Sequence, residues 1–208
     1  MAAANPGPRV ATPLAAALLL ALVLSLTACS PRLEWRELRS PDGYVVLLPG
    51  RAQVVTRELA FEGHTLPMAM TSTGVGASMF AVGVATLPPA LADDAAARER
   101  LIAYFRDALL KNIDATAPVA DKASLSRPLA APQQLRAAQG MRAQGRAGRD
   151  GAAARLAARW FIVDDRLYQL IAIGGEGAID TVALDTFFDS FSPALSSTPS
   201  ASPASGAK

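Results

Sequence analysis

The chain has a single cysteine, Cys29, and a single histidine, His64, in 208 residues. One thiol cannot close a disulfide within the chain, and a metal centre usually draws on several His, Cys or carboxylate ligands together. His64 sits beside an expected turn and reads as an exposed turn residue. Lysine is scarce, 3 against 17 arginines, which fits genomic base composition before function. The formal net charge of +2 is too small for the basic footprint of a nucleic-acid binder. The chain has no G-x-S-x-G nucleophile elbow. Gly74-Val75-Gly76 lacks the third glycine and the following helix of a dinucleotide loop. Gly174-Gly175-Glu176-Gly177 does precede a helical pattern, but Glu176 would repel a phosphate. Asp164-Asp165 reads as a solvated turn. No cofactor, metal or nucleic-acid partner is expected, and the chain reads as no enzyme.

The start of the chain carries the clearest signal. Arg9 precedes a thirteen-residue apolar run, Leu14 to Leu26. That is shorter than the ~18–20 residues needed to cross a bilayer as a helix and suits the core of a secretory signal. The run ends in Leu26-Thr27-Ala28-Cys29, which resembles the lipobox of bacterial lipoproteins. The resemblance implies cleavage before Cys29, a thioether-linked lipid on it and N-acylation. A membrane partner through that anchor follows, at the periplasmic face of a Gram-negative envelope. Ser30 in place of Asp favours the outer membrane by the same resemblance. The alternative is an ordinary signal peptide with a chance cysteine, or an uncleaved anchor.

The rest is organised around Arg155 to Phe191. Leu156, Ala158, Trp160 and Ile162 alternate with Arg155, Ala157, Arg159 and Phe161, a period of two that puts the sets on opposite faces of a strand. With Asp164-Asp165 as turn, Val163 pairs with Arg166 and Trp160 faces Gln169. Leu167, Ile171 and Ile173 then extend the Trp160 face. The other face, with Tyr168 and Leu170, reads as amphipathic. After the glycine loop, Ile179, Val182, Ala183, Phe187 and Phe191 mark a helix capped by Asp180, a cover for the sheet. Ile179 and Leu184 occupy its hydrophobic-staple positions.

Upstream, short strands are expected over Trp35–Leu38, Tyr44–Leu48, Val54–Phe61, Thr65–Ser72 and Ser78–Thr86. A long helix follows over Asp93–Ile113, with Ala97, Leu101, Tyr104, Phe105, Ala108 and Ile113 as its apolar stripe and Asp107–Lys111 as an i,i+4 pair. Residues 119–139 read as a loop with a short extended piece, and Gly140–Gly148 as a strand. Strands followed by helices indicate α+β, an antiparallel sheet flanked by helices. PDGYVVLLPG, the long central helix, RLYQLIAIGG and FFDSF, in that order, resemble the PsbP-like superfamily over about residues 33–193. Ala52 stands where that family commonly has a proline. The resemblance implies an α/β/α sandwich and non-enzymatic work as an extrinsic subunit, adaptor or envelope lipoprotein. The expected divisions are 1–28 signal peptide, 29–32 lipidated linker, 33–193 folded domain and 194–208 a disordered Ser/Pro/Ala tail.

One charge pattern stands out. From Ser126 to Val163 there are seven Arg and one acid, and from Asp164 to Phe191 six acids and one Arg. Pairing Gly148 with Gly151 puts Arg142, Arg146, Arg155 and Arg159 on one sheet face, near Phe161 and Tyr168. One reading is a solvated face neutralised by Asp180, Asp185 or Asp189 of the last helix. The other is a docking surface for an anionic partner: an acidic protein patch, a lipid headgroup or a glycan. Function is expected to be that of a lipid-anchored periplasmic adaptor binding an envelope protein or other envelope component. The alternative is a small anionic-ligand carrier or sensor using the arginine face.

Overall fold

The computed structural model describes residues 33–115, 117–148 and 150–194. The signal peptide, Cys29, residues 30–32 and the tail from residue 195 lie outside the described residues. The domain is α+β. Its main sheet has seven strands, all antiparallel, in the order β3-β4-β5-β9-β8-β7-β6. These are β3 Gln53–Phe61, β4 His64–Val75, β5 Ser78–Thr86, β6 Val119–Asp121, β7 Leu135–Ala147, β8 Ala152–Val163 and β9 Arg166–Gly175. A small sheet holds β1 Trp35–Ser40, β2 Tyr44–Pro49 and β10 Ser192–Pro193. The helices are α1 Pro89–Ala92, α2 Ala95–Asn112 and α3 Thr181–Ser190.

The β8–β9 register is as expected, with Val163 opposite Arg166 and Trp160 opposite Gln169. Asp164 takes the turn with φ +53°, which Asp tolerates better than most side chains. Its carboxylate accepts from the Gln134 amide at 2.9 Å and its own amide donates to the Gln134 carbonyl at 3.0 Å. The Asp164 side chain is therefore structural.

The central strands β5, β8 and β9 are largely buried on both faces. The Trp160 face packs Leu156, Ala158, Trp160, Ile162 and Leu167 against Ala97, Leu101, Ile102 and Phe105 of α2. The long central helix, not the last one, is thus its principal helical cover. Helix α2 is capped by Asp94, whose carboxylate accepts from the Ala96 amide at 2.9 Å. Its buried stripe includes Ile102, while Tyr104 and Ala108 are exposed. Tyr104 instead packs edge-on against Phe61. Asp107 pairs with Arg106 and not with Lys111.

The Phe161 face, expected to be amphipathic, is a second core. Phe161, Tyr168 and Leu170 lie beneath Phe187, Phe188 and Phe191 of the α3 region and Tyr44, Val46 and Leu48 of the small sheet. Asp180 caps α3 through the Ala183 amide at 2.7 Å. The Tyr168 hydroxyl donates to the Gly43 carbonyl at 3.0 Å, and burial pushes its phenol above the ordinary range.

Strand β7 begins five residues before the expected Gly140, at Leu135. Past α2 the chain turns onto the outer edge of β7, where the Arg146 amide donates to the Ile113 carbonyl at 2.5 Å. A β-carbon on Gly145 would collide with that carbonyl oxygen. Gly145→Ala should therefore cost about 1–3 kcal/mol, as overpacking does. A melting temperature equal to the parent's would show that this crossing is loose.

Candidate functional site

The four arginines do share one sheet face. Arg146 stands opposite Ala153, Arg142 opposite Ala157, and Arg155 opposite Gln144. Arg159 is opposite Gly140. They do not form one basic surface, however, because each meets a different environment. Arg142 pairs with Asp121 at 2.8 Å, Arg155 with Glu176 at 3.2 Å and Arg159 with Asp189 at 3.5 Å. Arg146 donates to the Gly151 carbonyl at 2.8 Å and has no ion pair among the described residues. Of the three helix acids proposed as neutralisers only Asp189 serves, and it serves Arg159 alone. The other two carboxylates come from β6 and the glycine loop. Phe161 and Tyr168 are sealed beneath Phe191 and offer nothing to a partner.

What the register builds instead is a cleft. Across the sheet, Val119, Arg142, Ala157 and Ala172 form one row of opposed residues. Gln144, Arg155 and Gly174 form the next. Ala157, Ala172 and Gly174 are small where the following positions on the same face, Phe161 and Leu170, are large. The floor is therefore low. A β-carbon on Gly174 would lie 2.9 Å from Ile179 Cγ1, so Ile179 settles directly over this glycine. Ile179 and Leu184 make one wall, Ala117 and Val119 the other. The enclosed volume is about 490 Å³, within the range of ligand pockets.

The two arginines lie between the apolar walls, Arg142 next to Val119 and Arg155 next to the Gly174 that Ile179 covers. Arg142 and Arg155 are diagonal neighbours on adjacent strands, a separation of about 7–8 Å. Their side chains are 49% and 54% exposed. The Arg155–Glu176 pair, with Glu176 73% exposed, is a surface pair worth about 0–1 kcal/mol, whereas Asp121 beside Arg142 is only 21% exposed. Val119, at the β6 wall, is 68% exposed, and Val182, adjoining the lining residue Thr181 of the opposite wall, is 73% exposed.

Sequence reasoning found Arg142 and Arg155 but not the alanines between them. The usable signal was two small residues at matching positions of β8 and β9, on a face otherwise filled by aromatics. Ile179 and Leu184 had been explained already as a staple. His64 is half-buried at the first residue of β4. No cluster of three or more His, Cys, Asp or Glu able to hold a metal occurs among the described residues. No protein-family model matches the chain, and no curated protein sequence matches it significantly.

Proposed function

We propose that the chain is a lipid-anchored, non-enzymatic accessory domain of a Gram-negative envelope, PsbP-like in fold, that binds another envelope component through the Arg142–Arg155 cleft. The observation that carries the binding reading is the half-open cleft itself: the Arg142 and Arg155 guanidiniums set between the aliphatic Ile179–Leu184 wall and the exposed Val119. Leu26-Thr27-Ala28-Cys29 supports the anchor and the periplasmic, outer-membrane location. Three acyl chains hold far better than one, since each buried CH₂ adds about 0.8 kcal/mol.

An adaptor that docks on an envelope protein would use the exposed rim. A photo-crosslinking residue at Val182 should then give an adduct with an envelope protein in cells, and one at Val54 on the far sheet edge should not. Equal adducts at both positions would remove the cleft from the adaptor reading. The cleft's volume and its two lining cations support a second reading, a carrier or sensor of a small anionic ligand.

The anchor has its own test. Cys29→Ala should abolish both lipid labelling and processing at that site, read by metabolic labelling with a fatty-acid analogue and by a gel shift. Undiminished labelling of the variant would sink the lipoprotein assignment.

A further inference from the structure

We propose that the domain lies against the bilayer with one corner of its main sheet, the start of β3 and the β4–β5 turn, seated among phospholipid headgroups. This rests on the lipoprotein reading and names the surface that the anchor brings to the membrane. The length of the tether sets the place. From Cys29 to Leu33 the chain has four residue steps, at most about 14 Å at full extension. The surface nearest Leu33 therefore stays at the membrane. Leu33 leads into β1, and hydrogen bonds join that point to the corner. The Gly50 amide donates to the Glu34 carbonyl at 2.9 Å, and the Thr73 hydroxyl donates to the Pro49 carbonyl at 3.1 Å. A β-carbon on Gly50 would lie 3.7 Å from Val75 Cγ2, so the start of β1 and the end of β4 are neighbours.

Charge and exposure at this corner fit a headgroup layer. The thirty residues from Gly63 to Ala92, which include β4, β5 and their turn, contain no Asp, Glu, Lys or Arg. No acid occurs from Gly43 to Arg57 either, where the charged residues are Arg51 and Arg57. Val54, Val55 and Met79 are exposed, and β3 is an outer strand with one side unpaired. An open strand edge and exposed apolar side chains both call for cover. The interfacial layer accepts apolar side chains and offers anionic groups to arginine. The opposite end of the sheet is acidic. Its turns carry Asp42, Glu62, Asp93, Asp94, Asp164 and Asp165 and no Lys or Arg, charges that an anionic surface repels. The Arg142–Arg155 cleft, on β6, β7 and β8 at the other side of the sheet, stays free for its partner.

The test uses the chain purified from membranes and reconstituted in vesicles of phosphatidylethanolamine and phosphatidylglycerol, with amide hydrogen exchange as the readout. The comparison is with Val54→Glu carrying Met79→Glu, which puts two carboxylates on the corner at exposed positions. Corrected for sequence, amides at 51–56 and 75–79 should exchange at least about threefold more slowly in the parent than in this variant. Those of the acidic turns 62–63 and 164–165 should exchange alike in both. Arg51→Glu alone should lose part of the same protection, and it carries the test should the double variant fail to fold. Equal exchange at the corner in the parent and a folded variant would overturn the proposal. Protection that vanishes when the same protein is spread over more lipid would assign the corner to a second copy of the chain, and overturns it as well. Intact mass reads the anchor separately. A chain without lipid on Cys29 overturns the lipoprotein reading. Its thiol is then coupled to a maleimide-bearing phospholipid, and the corner meets the same exchange test.

Discussion

Trp160→Ala is expected to destabilise the domain by about 3–5 kcal/mol, the range for a large aromatic removed from a core. Trp160 is among the largest fully buried side chains and stands at the centre of the layer between the sheet and α2. Its neighbours there are branched aliphatics on fixed strands and a helix, which close only part of the void. One term works the other way. The indole N–H has no hydrogen-bond partner, and the Oε1 of Gln169, directly opposite on β9, has none either. Removing an unpaired buried donor returns part of its desolvation cost. Trp160→Phe should therefore lose less than about 1.5 kcal/mol, the usual ceiling for a tolerated core swap. The measurement is chemical unfolding followed by circular dichroism, at about 2–4 °C of melting temperature per kcal/mol for a chain of this size. Trp160→Ala within 1 kcal/mol of the parent would mean that this layer is not the organising core.

That core was readable in the sequence because it obeys one period. Alternation at 156–162 and 167–173 fixed both the hairpin register and the residues of the Trp160 face. Capping by Asp180 was also legible, since a helix start leaves backbone N–H groups that a carboxylate satisfies locally. What alternation alone does not convey is which cover each face receives. Arg155, Arg159 and Tyr168 made the Phe161 face look half-wet. In the fold it is closed by α3, which follows β9 directly, and by a small sheet whose β1 and β2 come from over a hundred residues upstream. The early start of β7 was hidden by prolines at 128 and 132, which suggest a loop that ends later than it does. The cleft was illegible for a related reason. It is made of what is missing, side chains beyond Cβ at 157 and 172, and a hollow is defined only when the wall from α3 is in place.

Arg159→Glu should be about as damaging, at about 3–5 kcal/mol, and for a reason that separates Arg159 from the cleft. Its side chain is only 10% exposed. The guanidinium lies 4.4 Å from the centre of the Phe188 ring, one nitrogen reaches Asp189 at 3.5 Å, and Nε is unpaired. This is a cation held by a ring face and a long ion pair, with half of its surroundings apolar. A carboxylate there would meet the negative face of the ring and the charge of Asp189, with no donor in exchange. Breaking a buried pair so that a charge stands uncompensated costs in the range given. The pH dependence identifies the cause. Burial and a neighbouring carboxylate both favour the protonated acid, so the folded-state pKa of the introduced glutamate would be raised. The penalty is then fully present above that raised pKa and shrinks as pH falls through it toward the unfolded value of about 4.3. Arg159→Met makes the opposite prediction. Replacing an imperfectly paired buried cation by an apolar chain of similar length is often neutral or stabilising. A strong loss of stability in Arg159→Met would show that the cation itself, through Phe188 and Asp189, holds α3 to the sheet. Equal damage from Arg159→Glu at about pH 8 and about pH 5 would place its cost in packing and not in charge.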